Sequence, residues 1–133
     1  MARPASEQPT PAELEVLKIL WEIGPATVRD VLSEFERRND RRAYTTIMSL
    51  MNVMADKKLL RRTPKGRAYL YKAVAPREKT LQGMVGDLWQ RAFEGSAASL
   101  VTRLLQESKP TREELDQIRE AIGRFEQEQE EDQ

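Results

Sequence analysis

The spacing of apolar residues changes shortly after Lys58, and that change narrows the folds open to this chain. Before it, apolar side chains recur at the three- and four-residue intervals of helices. The stretch "LLRRTPKGRAYLYKAV", residues 59–74, then alternates, is rich in tyrosine, and carries Pro64-Lys65-Gly66 at its centre. Alternation with a glycine-containing break predicts a β-hairpin.

Three helices are predicted ahead of that hairpin. "TPAELEVLKILWEIG" opens with Thr10, Pro11 and Glu13 in a capping-box arrangement and closes at Gly24-Pro25. "ATVRDVLSEFERR" restarts with Thr27 as N-cap and sets Val28, Val31, Leu32 and Phe35 at helical spacing. A polar break, "RRNDRR", leads to a third helix over about 43–57, with Ile47, Leu50, Met51 and Met54 inward. Helix, helix, helix, hairpin is the order of a winged helix–turn–helix, and residues 11–75 are expected to form one.

In such a unit the first turns of the third helix enter the major groove of DNA. Thr45 and Thr46 stand at that point, although threonine is a mediocre helix former. Short hydroxyl side chains let the backbone approach and can meet base edges or phosphates. Thr45 reads equally as a cap of its own helix. Arg41 and Arg42 fall where the chain would cross the phosphate backbone. Lys65 and Arg67 flank the tip glycine of the wing.

Charge agrees with that placement. Formal net charge is zero, but residues 37–72 hold 11 Lys and Arg against only Asp40 and Asp56, while the chain beyond 75 is acidic. A basic segment beside an acidic one reads as a polyanion-binding face joined to a partner element. With no Cys and no His, thiol catalysis, disulfides and the usual zinc or copper sites are excluded, and no cofactor or metal is expected. No glycine-rich phosphate loop or acidic pair in an apolar context suggests an enzyme. No apolar run is long enough to insert in a membrane, and residues 1–10 have no apolar signal core, so a disordered tail in a cytoplasmic protein is expected. A winged helix serving only as a protein–protein module is the alternative function.

The second half, 76–126, is expected to be a three-helix dimerisation element. Leu81, Met84, Val85, Leu88, Trp89 and Phe93 share one wide stripe, and Leu100 and Leu104 continue it in the next segment. After Lys109-Pro110, a second box at Thr111 and Glu114 begins a helix with Leu115, Ile118, Ile122 and Phe125 spaced as a seam. Three helices in so few residues expose more apolar face than they can cover, and a second copy is the simplest cover. Folding back onto the winged domain, as a monomer, is the alternative. The acidic end, 127–133, is expected to fray.

"AELEVLKILWEIGPATVRDV", "AYTTIMSLMNVMADKKLLRR" and "KGRAYLYKA" together resemble the penicillinase-repressor (BlaI/MecI) family of bacterial transcriptional repressors. The resemblance implies a homodimer on an inverted-repeat operator in double-stranded DNA. It implies recognition-helix contacts at Tyr44, Thr45, Thr46, Ser49 and Asn52, and wing or backbone contacts at Arg62, Lys65 and Arg67. In β-lactam-responsive members a membrane sensor peptidase pathway leads to cleavage at an Asn-Phe bond in the dimerisation helices. The matching place here is Arg103-Leu104, a different bond. The C-terminal cysteine pairs of copper-responsive relatives are absent.

Overall fold

The computed structural model describes residues 8–132; of the tail expected over 1–10, residues 1–7 lie outside the described residues, as does residue 133. The elements are α1 (Pro11–Ile23), α2 (Val28–Arg37), α3 (Tyr44–Asp56), β1 (Leu60–Lys65), β2 (Ala68–Ala73), α4 (Arg77–Phe93), α5 (Ala97–Ser108) and α6 (Arg112–Glu131). The chain is thus mostly helical, with a two-stranded hairpin after three helices, as the periodicity predicts. Two compact units meet between Gly86 and Asp87, so the junction falls inside α4 and not at the expected 75/76. Among the described residues no helix is long and apolar enough to cross a membrane.

Local signals start the first two helices. Thr10 and Glu13 form the full capping box of α1, and Thr27 and Asp30 form that of α2. Gln8 packs beside Gly83 and Thr10 caps α1, so residues 8–10 belong to the fold and not to a tail. Asn39, at φ 61°, turns the chain between α2 and α3; asparagine tolerates the left-handed region better than most residues. The hairpin turns at Gly66-Arg67, one residue later than the expected centre, and Lys65 pairs with Ala68. Gly66 has φ 62°, the left-handed backbone that a two-residue hairpin loop needs. Pro64 therefore lies inside β1, opposite Tyr69 and next to the closing pair. Its missing N–H is harmless there, because that position faces away from the partner strand.

The core of this unit joins Val16, Leu17, Ile19 and Leu20 of α1 to Val31 and Phe35 of α2, Ile47, Met51 and Met54 of α3, and Leu60 and Tyr71 of the hairpin. Ala26 and Tyr71 exchange two backbone hydrogen bonds, 3.0 and 2.8 Å, which tie the hairpin to the start of α2. Trp21 Nε1 donates to the Ala75 carbonyl at 3.0 Å and holds the chain leaving β2.

One charged group enters this core. Glu13 is 2% exposed and accepts from Lys57 Nζ at 2.8 Å. Burial pushes its carboxyl pKa up, but the hydrogen bonds from Lys57 and the Thr10 backbone outweigh burial and hold it below the ordinary value. A carboxylate with a lowered folded pKa stabilises the fold fully above its unfolded pKa, and that stability is lost as pH falls through the folded value. Glu13→Gln is therefore expected to cost about 1–3 kcal/mol at neutral pH. The gap between variant and parent should narrow below about pH 4.5. Thermal melts of both proteins from pH 7 to pH 3 measure it; a gap constant across that range would remove the ionic contribution.

In the second unit α5 starts at Ser96, which accepts from Ser99 N–H. Thr111 caps α6 by accepting from Glu114 N–H; the return bond of the expected box is not among the described hydrogen bonds. α6 runs to Glu131, through most of the segment expected to fray. Glu and Gln are good helix formers, and extending a formed helix adds one backbone bond per residue. No residue of α4, α5 or α6 is buried.

Candidate nucleic-acid interface

α3 presents three faces. Ile47, Met51 and Met54 point into the core and are fully buried. Tyr44, Met48 and Asn52, at i, i+4 and i+8, line a cleft of about 580 Å³ against the hairpin. Thr45, Thr46, Ser49 and Val53 lie on the outer face and are exposed. The N-cap of α3 is Ala43, and no side chain caps the helix. The capping reading of Thr45 therefore fails. Both threonine hydroxyls sit in an uncapped first turn, where backbone N–H groups and the positive end of the helix dipole point outward.

The hairpin forms the opposite wall of the cleft with Arg62, Lys65, Arg67 and Tyr69. Among the described residues no acidic side chain lines it. α2 supplies Arg29, whose guanidinium lies 5.1 Å from the Tyr44 ring centroid, while Arg62 lies 5.3 Å from that of Tyr69. Each cation is thus steadied by an aromatic face, and among the described residues neither pairs with a carboxylate. The sequence reading missed Arg29. Its signal is positional: a cation in a helix's first turn opposes the dipole, so its presence there asks for another purpose.

Ion pairing sorts the remaining basic residues. Arg37 pairs with Glu34, and Arg38 with both Glu22 and Glu34. The Glu34 carboxyl is held below its ordinary pKa chiefly by the hydrogen bond from Arg37. Arg42 donates to both oxygens of Asp40, 2.8 and 2.7 Å, and to Glu15 at 2.9 Å, with its guanidinium 4.9 Å from the Phe35 ring centroid. The Asp40 hydrogen bond is the largest cause of a raised Arg42 pKa, and the same bond lowers that of Asp40. Arg42 therefore clamps the α2–α3 turn, which is a correction to its expected place on the phosphate backbone. Arg41, Lys65 and Arg67 are exposed and form no ion pair among the described residues. Asn52 is engaged inside the protein, accepting from Arg62 and from the Tyr71 hydroxyl.

The apolar stripe expected to dimerise is only partly covered. Val85, Leu88, Leu104 and Ile122 are 60, 48, 57 and 54% exposed, and Leu81, Met84, Trp89, Phe93, Leu100, Leu115 and Ile118 are half-buried. Arg103 and Leu104 lie inside α5, where Arg103 approaches Glu107 at 3.8 Å. A bond in that position is hydrogen-bonded helix, and a peptidase would need the helix locally opened to reach it.

The family model described as the penicillinase repressor matches residues 9–124. The chain is also 30% identical over 116 residues to the transcriptional regulator BlaI of Mycobacterium tuberculosis, in strains CDC 1551 / Oshkosh and ATCC 25618 / H37Rv alike. The match covers 86% of this chain and 82% of each relative.

Proposed function

The chain belongs to the penicillinase repressor family, and from that premise we propose that it is a sequence-specific DNA-binding repressor acting as a homodimer on an inverted-repeat operator. The observation that carries this reading is the sorting of its cations. Those held in carboxylate pairs, Arg37, Arg38, Arg42 and Lys57, do not line the cleft, whereas Arg29, Arg62, Lys65 and Arg67 line it with no acidic neighbour among the described residues. A fold stabilised by salt bridges alone would pair such residues. An acid-free cleft beside an uncapped helix start instead matches a polyanion.

In this reading α3 lies in the major groove with Thr46, Ser49 and Val53 outward. The hydroxyls meet base edges or phosphates, and the Val53 methyls suit a thymine methyl. Arg41 crosses one phosphate strand, and the wing carries Lys65 and Arg67 to another. The exposed apolar stripe of α4 to α6 is covered by a second copy, which brings two reading helices to two half-sites.

Footprinting of the purified chain on the DNA upstream of its own gene tests the proposal. A protected inverted repeat supports it; no protection beyond that of random DNA would leave the protein-interaction module. Within the footprint, Thr46→Ala or Ser49→Ala is expected to cost about 1–3 kcal/mol on the operator and much less on random DNA. Since Thr45 makes no cap, Thr45→Ala should change folding stability by less than about 0.5 kcal/mol. Operator and random-sequence affinities with parallel melts decide both points.

A further inference from the structure

Asn52 is expected from the family resemblance to touch DNA, yet its carboxamide is already committed. Its Oδ1 accepts from Arg62 Nη1 of β1 and from the Tyr71 hydroxyl of β2, each at 2.8 Å. Arg62 carries donors only, which fixes the amide with its oxygen toward the hairpin. Arg62 and Tyr71 are directly opposed in the ladder. One side chain of α3 therefore grips both strands at a single register position. Tyr71 is itself anchored, being 2% exposed and bonded through its backbone to Ala26.

We propose that Asn52 is the joint that fixes the wing to the recognition helix, a positioning residue for the phosphate contacts of Lys65 and Arg67 and not a reader of bases. This rests on the DNA-binding reading above. Lys65 stands three residues beyond Arg62, so the wing tip projects about 10 Å past the joint. A tilt of about 20° at the base would then move a tip cation by about 3–4 Å, enough to replace a direct phosphate contact by a water-mediated one. Two hydrogen bonds converging on one acceptor oppose that tilt, and a two-stranded hairpin has little stiffness of its own.

The test uses the full chain with Asn52→Leu, which keeps the size and removes the acceptor, and Asn52→Asp, which keeps the acceptor and removes the amide N–H that a base reader would use. Asn52→Leu should weaken operator and random DNA alike, by about 10-fold, with their ratio unchanged. Arg67→Ala should matter less in the Asn52→Leu background than in the parent, and as much in the Asn52→Asp background. Without DNA, amide hydrogen exchange in the outer hairpin should accelerate in Asn52→Leu and not in Asn52→Asp. Should Asn52→Leu fail to fold, Tyr71→Phe removes one of the two donors and should shift exchange in the same direction by less. A specificity ratio that falls in both Asn52 variants, with hairpin exchange unchanged, would overturn the proposal. If the parent binds no DNA, the repressor reading fails, and the exchange experiment still decides the joint.

Discussion

Raising monovalent salt from about 50 to about 200 mM is expected to weaken operator binding by about three to five orders of magnitude. Each phosphate neutralised by Lys or Arg releases condensed counterions, so log affinity falls with log salt at about −0.9 per contact. With Arg37, Arg38, Arg42 and Lys57 engaged by carboxylates, the cations left on the α3 and hairpin side supply about 3 to 5 contacts per subunit, so about 6 to 10 per dimer. The sorting of the arginines makes this prediction sharper than net charge can. Arg67→Ala or Lys65→Ala should lower the slope by about one in each half-site, whereas Arg37→Ala should leave it unchanged. Arg42→Ala should act on melting, because it releases the α2–α3 turn. Titrations of labelled operator at four or more salt concentrations give the slopes. A nearly flat dependence in the parent would mean that the basic cleft faces something other than nucleic acid.

The hairpin was legible because alternation and glycine are local signals, and so were the boxes at Thr10 and Thr27, whose partners lie three residues away. The outer face of α3 followed from helical geometry: Thr46 and Ser49 are i, i+3, and burying Ile47 and Met51 forces them outward. What sequence alone could not give is the occupation of side chains by distant partners. Arg42 looks like a free cation until Glu15, 27 residues earlier, is placed beside it. Asn52 looks like a free side chain of the recognition helix until Arg62 and Tyr71, 10 and 19 residues later, close on its oxygen. Arg29 was missed for the same reason, since Tyr44 meets it only when α2 and α3 cross. Thr45 was open between cap and contact because capping depends on which residue leaves helical geometry first, and here that is Ala43.

Leu88→Glu combined with Leu104→Glu is expected to convert the chain to a monomer at micromolar concentration and to lower operator affinity by about two to four orders of magnitude. The two units differ in how they pack. α1 to α3 and the hairpin enclose a continuous core, whereas α4, α5 and α6 bury no residue although Val85, Leu88, Val101, Leu104, Ile122 and Phe125 are all exposed on them. Burying one such leucine or valine side chain fully is worth about 1.5–3 kcal/mol, so leaving these six side chains exposed forfeits more than a marginal fold can spare. A closed two-fold pairing recovers it and joins two weak DNA-binding modules into one bivalent ligand, whose second half binds at high effective concentration. A carboxylate on that face would have to be buried without a partner, which opposes pairing far more than loss of the leucine alone. Neither residue belongs to the core of the first unit, so cooperative melting of that unit should survive in the variant. Sedimentation velocity, operator affinity and melting on the same preparations separate the possibilities. A variant that is monomeric yet binds the operator as tightly as the parent would show that each winged domain acts alone.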